Sequence, residues 1–448
     1  MRKVTFYLYL GLFSILASCD RILEEKSDRS LATINTPEEL QALLDYGVIM
    51  HKSYVGAIGD VASDNFFIPD NSYLAHPGEA ERAMYVWDRV PMGNLYWTSY
   101  QRILNANTVI HYVDIMDMSN SQRAQLLGSA LFFRAYSYWD LTQVYAKSYN
   151  TPAIAEHLGP VIKLSPDVNE PIVRKSLHET YEIMIDDLKQ SIALLSPTRE
   201  TYPTRPNKPA AMAMLARLFL SVNDFESAKH YADSSLFYID DLLDYNTVDS
   251  TIKYPFELFN EEVLFFSTHR VSRLTREATL RVDSNLYDSY AAADLRKKRF
   301  FTKQADGYYG FTGDYAQSSG DHRFNGLTTA EVWLIKAECA ARLGNFNEAL
   351  KTIENFRRYR YRTENHTELN VTDINGLLEI IYAERNKELV LRGVRWSDMR
   401  RLEDKFLGGQ TVVRVIEGKN YKKTYQELRD FAFLIPDDVI QLSGIPQN

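Results

Sequence analysis

Cysteine is nearly absent from this chain: there are two in 448 residues, and no CxxC pair. That excludes a disulfide framework and leaves no basis for a zinc or dithiol redox site. A basic surplus is missing as well, since 51 lysines and arginines face 59 aspartates and glutamates for a net charge of −8. Nucleic-acid binding needs the opposite balance, so no nucleic-acid partner is expected. HExxH, GxSxG, the phosphate-binding P-loop and GxGxxG are all missing. The nine histidines stand singly, at no metal-ligand spacing. No metal or other cofactor is therefore expected, and nothing indicates a structural Ca²⁺. Carboxylates are plentiful, but nothing selects a glycosidase-like acid pair among them, and the chain does not read as an enzyme.

What is abundant is aromatic: 22 Phe, 29 Tyr and 5 Trp. Tyrosine in that quantity has to cover surface as well as core, because its hydroxyl needs water or a partner. At the N-terminus Arg2 and Lys3 precede an apolar stretch from Val4 to Ala17. A spanning helix needs about 20 apolar residues, so this stretch reads instead as a signal-peptide core. It ends in Leu16-Ala17-Ser18-Cys19, which resembles a bacterial lipobox with Cys19 as the acylated residue. The expected organisation is a lipoprotein signal peptide over 1–18 and a lipid-anchored tether over 19–35. A single domain follows over 36–448, anchored to the membrane through the N-terminal lipid. No later segment approaches a span.

Thr36-Pro37-Glu38-Glu39 has the capping threonine, early proline and early acids of a helix start. Glycines and prolines then break the pattern from Val48 to Pro91, where Tyr54, Phe66, Phe67, Tyr73, Tyr85 and Trp87 interleave. The stretch is loop-rich and too long for a simple connection, so it is expected to carry function or to pack as its own substructure. Helical periodicity follows over Tyr96–Tyr112, from Leu127 to Tyr145, and over Leu177–Leu195. Two stretches read as helical hairpins, Pro209–Leu236 and Thr328–Arg360. Ala216, Asp224-Phe225 and Ala228 in the first match Ala337, Gly344-Asn345-Phe346 and Ala349 in the second, at tetratricopeptide-like spacing. Between them, 240–326 carries short β-like pieces such as Val263–Phe266 and the Tyr- and Gly-rich loop Asp306–Gly326. The insertions therefore cover about 48–95 and 240–326. Asn375 to Leu402 reads as a long charged helix, and Phe431–Asn448 as an extended segment.

Two charged clusters compete for a functional reading. Arg296-Lys297-Lys298-Arg299 reads as a solvated or ion-paired helix end. Glu384 and Glu388 share one helix face and Arg392 continues it, which suits an ion-pair network better than an acid–base pair. Gly393 is placed to end that helix with positive φ, and Arg395 and Asp398 would then begin a second one.

Several separate segments, in order, resemble the SusD/RagB family of surface nutrient-binding lipoproteins. Trp97-Thr98-Ser99-Tyr100 with Ile103 and Ala106-Asn107 is the first, and Phe133-Arg134-Ala135-Tyr136 through Asp140-Leu141 and Val144-Tyr145 the second. Lys208-Pro209-Ala210-Ala211 through Arg217, and Ala330-Glu331 through Glu338-Cys339, match its hairpins. Glu384-Arg385, Glu388-Leu389 and Gly393-Val394-Arg395-Trp396-Ser397-Asp398 match its charged motif, with Arg392 where a glutamate is common. Ile435-Pro436 and Gln447-Asn448 match its ending. Ala146 departs from the family's glycine.

The resemblance implies a mainly α fold of tetratricopeptide-like helix pairs with loop-rich insertions and minor β structure. It also implies an outer-membrane, exterior-facing protein that captures oligosaccharides or peptides and passes them to a SusC-like TonB-dependent transporter. Aromatic rings stack on the C–H faces of sugars while polar groups take the hydroxyls. The candidate ligand residues are therefore Asp64, Asn65, Tyr73 and Trp87 in the first insertion, and Tyr308, Tyr309, Phe311, Tyr315 and Arg323 in the second. Trp97, Trp333 and Trp396 lie on motif helices and read as core. The competing reading is a lipid-anchored helical scaffold that binds envelope proteins and no small ligand; a surface hydrolase is the third.

Overall fold

The computed structural model describes residues 34–448 except 54, 92, 318–320 and 366–367. The expected signal peptide, Cys19 and nearly all of the tether lie outside the described residues, as does the side chain of Trp97. The scaffold is a run of helices: Gly93–Ile115, Asn120–Tyr145, Leu177–Leu194, Lys208–Ser221, Phe225–Tyr238, Thr329–Arg342, Phe346–Arg358 and Ile374–Glu388. From Gly93 to Tyr238 each packs on the next, and Phe225–Tyr238 then packs on Thr329–Arg342 across the intervening insertion.

Local chemistry sets the helix starts. Thr36 with Glu39, Ser119 with Gln122 and Ser176 with Glu179 form capping boxes, and Asn207 caps a helix that opens with proline in its first turn. The two hairpins turn through left-handed residues, Asn223 at φ +61° and Gly344 at φ +81°. Ala216 and Ala228 in the first, and Ala337 and Ala349 in the second, are wholly buried. With only a methyl group at the contact, the paired helices approach closely.

The residues of the recurring segments turn out to be inter-helix ties. Arg134 forks onto Asp187 with two bonds of 2.7 Å and donates to Asn107 at 3.0 Å, joining three successive helices. Arg217 forks onto Glu331 at 2.9 and 2.6 Å, joining the two hairpins. Trp396 is 1% exposed, and Cys339 is buried among the alanines.

The 48–91 stretch packs as a substructure with short helices, among them Gly56–Ala62 and Glu79–Tyr85. The charged run from Asn375 ends before Gly393 (φ +76°), with Leu391 (φ +55°) also outside helical space, and a second helix starts at Arg395, giving Ile374–Glu388 and Arg395–Arg401. One sequence expectation changes. The C-terminal segment is extended except for a helix at Asp437–Ser443, which Gly444 closes at φ +68°.

Beneath the second insertion lies a buried ion network. Arg360 donates to Glu262 at 2.5 Å and to both oxygens of Glu388 at 2.9 Å. Arg296 forks onto Asp294 and reaches Glu384 and, at 3.2 Å, Glu388. Burial works to raise the Glu384 carboxyl, but Arg296, Lys387 and Arg357 overcome it and hold it down to about 2. The next residue, Arg385, faces a second cluster and binds Asp398 at 2.9 Å. Arg296 belongs to the basic run of the sequence, but it is fully buried and paired rather than solvated.

His51 predicts an acid sensitivity. It is nearly buried beside Phe133, and burial followed by the Arg102 charge lowers its pKa to about 4. The unfolded chain takes up this proton near pH 6.5 and the folded chain does not. Stability should therefore fall as pH drops from about 6.5 to about 4, by about 3 kcal/mol across the window. Urea unfolding of a His51→Leu variant should lose that slope while keeping the steeper carboxylate-driven loss at lower pH.

Candidate functional site

A polar cleft of about 710 Å³ opens where the two insertions meet the C-terminal third of the chain. One wall is the short ribbon pairing Phe66–Phe67 with Arg281–Val282. The opposite wall is a hairpin of Thr411–Ile416 and Lys419–Thr424, in register from Thr411↔Thr424 to Ile416↔Lys419. Its turn runs through Glu417 (φ +48°) and Gly418 (φ +77°), the left-handed pair that a tight two-residue hairpin requires. A third wall is one stripe of helix Ile374–Glu388, carrying Glu379, Tyr382, Ala383 and Asn386 at helical spacing.

Asp64 lies in the cleft but is not a free acid. Arg395 forks onto it at 2.6 and 2.7 Å. Burial pushes its carboxyl up, and the Arg395 charge and hydrogen bonds push harder the other way, so its pKa ends below the ordinary value. Asn65 also lines the cleft; its backbone oxygen accepts from the Asp283 N–H at 2.9 Å, and its Nδ2 has no partner. Asn386 Oδ1 is likewise a buried atom without a partner.

An aromatic edge continues from this wall. Strands Phe301–Lys303 and Tyr309–Phe311 form a second ribbon, turned through Gly307 at φ +89°. Asp306 accepts from the Tyr308 N–H at 3.2 Å, and its other oxygen takes Arg281 Nε at 2.7 Å. That pins the turn to the Phe67 ribbon. Tyr308 is 46% exposed, with its ring edge-on to Phe67 at 4.9 Å. Tyr309 stacks on Tyr287 at 3.7 Å, both half-buried.

The other named residues are interior or remote. Trp87 is 2% exposed and donates to the Ala62 carbonyl at 2.9 Å, under the Arg414 guanidinium. Tyr315 is fully buried, donating to Glu262 at 2.7 Å with Arg392 over its ring at 3.7 Å. Phe311 is buried against Phe300, and Arg323 is buried with a bond to the Thr275 carbonyl. Tyr73 is half-buried and donates to the Arg82 carbonyl at 3.2 Å. These five side chains pack the insertions instead of facing the cleft, because strands and the C-terminal hairpin fold over them. Glu384 and Glu388 lie on a different face of their helix from Asn386 and are held in ion pairs.

The 411–424 hairpin and the Glu379–Asn386 stripe were not singled out in the sequence. The signals were there: Val412, Arg414 and Ile416 alternate with Val413 and Val415 before Glu-Gly. A second concavity, of about 260 Å³, lies between Gly93–Ile115 and residues 163–172. Two of its polar side chains are taken: Asn107 donates to the Lys163 carbonyl at 2.9 Å, and Tyr100 to the Val161 carbonyl at 2.9 Å. It has little with which to select a hydroxylated ligand. Among the described residues no three His, Cys, Asp or Glu are grouped to hold a metal, and no helix is long and apolar enough to cross a membrane.

Residues 22–220 match a SusD-like family model described as starch-binding and associating with the outer membrane, and residues 280–435 match the SusD family model. Curated proteins give no match. Similar solved structures include a SusD superfamily protein of Bacteroides thetaiotaomicron (TM-score 0.75, 19% identity, covering 92% of this chain and 99% of that one). A SusD superfamily protein of Bacteroides vulgatus gives TM-score 0.74 at 20% identity, over 93% and 99%. A laminarin-binding SusD-like protein gives 0.67 at 17%, also over 93% and 99%.

Proposed function

Because this chain belongs to the SusD/RagB family, we propose that it is a nutrient-binding lipoprotein of the outer cell surface. In this reading Cys19 carries the lipid and the cleft captures an oligosaccharide. The protein then hands its ligand to a SusC-like TonB-dependent transporter, with no covalent chemistry. The observation that carries the reading is the polar cleft edged by Phe67 and the half-exposed Tyr308, an apolar platform beside hydrogen-bonding groups. That combination suits a sugar, which presents C–H faces and hydroxyls together. The glycan descriptions attached to the matching family model and to one structural neighbour point the same way.

Two measurements test it. A Cys19→Ser variant should leave the membrane fraction for the soluble one, since stable anchoring depends on the acyl chains. Tagged wild type, extracted from outer membranes in mild detergent, should bring a TonB-dependent barrel with it at near-equal stoichiometry. Recovery with an envelope-assembly complex, or alone, would instead favour the scaffold that binds no small ligand.

A further inference from the structure

We infer that the cleft is selective for uncharged saccharides and reads ligand hydroxyls through Asn65 and Asn386. The inference rests on the capture reading and adds the ligand's class. Charge balance is the first support. The arginines that line the cleft are largely engaged: Arg395 forks onto Asp64, and Arg414 is buried, bonded to the Phe66 carbonyl at 2.6 Å and to the Ser63 carbonyl, with only its buried Nε left unpartnered. At the rim, Lys405 pairs with Glu403 at 3.0 Å. The lining carboxylates are less occupied. Glu379 is exposed, and no ion pair is described for it. Asp283 accepts only a backbone N–H, from Leu286 at 3.0 Å, as the cap of helix Ser284–Ser289. A uronate or sulfated sugar would enter opposite two carboxylates and find no free guanidinium to fork onto. Like-charge juxtaposition of that kind rejects a ligand more effectively than a missing contact does.

The two orphaned amide atoms are the second support. Asn65 is 2% exposed and has an unused donor, and Asn386 has an unused acceptor. Both residues line the same cleft. Buried polar groups are rarely left unpaired. Sugar hydroxyls both donate and accept, so a saccharide carries groups for the lone donor and for the lone acceptor alike.

The test is calorimetric binding by the full chain in detergent. The neutral probes are laminarin, glucomannan and xylan; the acidic probes are polygalacturonate, alginate and heparin. At least one neutral probe should bind, with every acidic probe at least tenfold weaker. Asn386→Leu should weaken the neutral probe about tenfold with its unfolding midpoint unchanged. Glu379→Lys, on an exposed helix face, should narrow the neutral-to-acidic gap. An acidic probe that binds as tightly as the best neutral one would overturn the inference and leave glycan capture standing. Unchanged neutral binding by a folded Asn386→Leu would overturn it too. Binding of no probe at all would remove the capture reading itself, and the inference with it.

Discussion

Arg360→Met should lower folding stability by about 3–5 kcal/mol, seen as a lower urea midpoint. The guanidinium is fully buried and makes bonds to Glu262, to both oxygens of Glu388 and to the Leu243 carbonyl. Removing it leaves Glu262 buried without a cation and Glu388 with only the longer Arg296 ion pair at 3.2 Å. Burial already raises the Glu262 pKa even with Arg360 beside it, so protonation would relieve only part of the loss. Arg360→Lys should rescue little, because an ammonium cannot span two carboxylates with a planar fork. The contrast is Arg199, whose pair with Asp241 is 37% and 60% exposed. Arg199→Ala should cost less than about 1 kcal/mol. Equal effects at the two sites would show that burial does not govern these pairs.

Tyr308→Ala should weaken glycan binding by about tenfold to thirtyfold, with stability changed by less than about 0.5 kcal/mol. Its ring stands at the turn of a pinned ribbon with nearly half its surface free, so its exposed face is available to a ligand. Trp87→Ala makes the opposite case. Truncating a side chain that is buried under Arg414 and bonded to the Ala62 carbonyl should cost about 3–5 kcal/mol, and any lost binding should track lost folding. Measuring both variants by calorimetry and thermal unfolding separates contact from packing. If Tyr308→Ala binds as wild type does, the aromatic edge has no part in capture.

The sequence carried the scaffold well because its evidence is local. Thr36 with Glu39, or Ala216 with Ala228, can be recognised within a dozen residues, and each formed the cap or close contact it suggested. Glu384 and Glu388 were readable as ion-paired for the same reason: their partners had to meet one helix face. The insertions were not so readable. Trp87 sits in an irregular aromatic stretch, and nothing near it says that Arg414 will close over its ring. Tyr315 lies within the Tyr- and Gly-rich loop, yet its hydroxyl is fixed by Glu262 and Tyr245. Exposure in such regions is decided by contacts tens to hundreds of residues apart, which no local period encodes. Asn386 was hidden differently, as one neutral residue inside a conspicuously charged run.

Helix Ile374–Glu388 is only 15 residues long, yet it does two jobs on separate faces. Glu384, Arg385 and Glu388 hold the chain together, while Glu379, Ala383 and Asn386 look into the cleft. Substitutions along the second stripe leave the first untouched. Selection can therefore change what this protein prefers to bind, one residue at a time, without passing through intermediates that fail to fold.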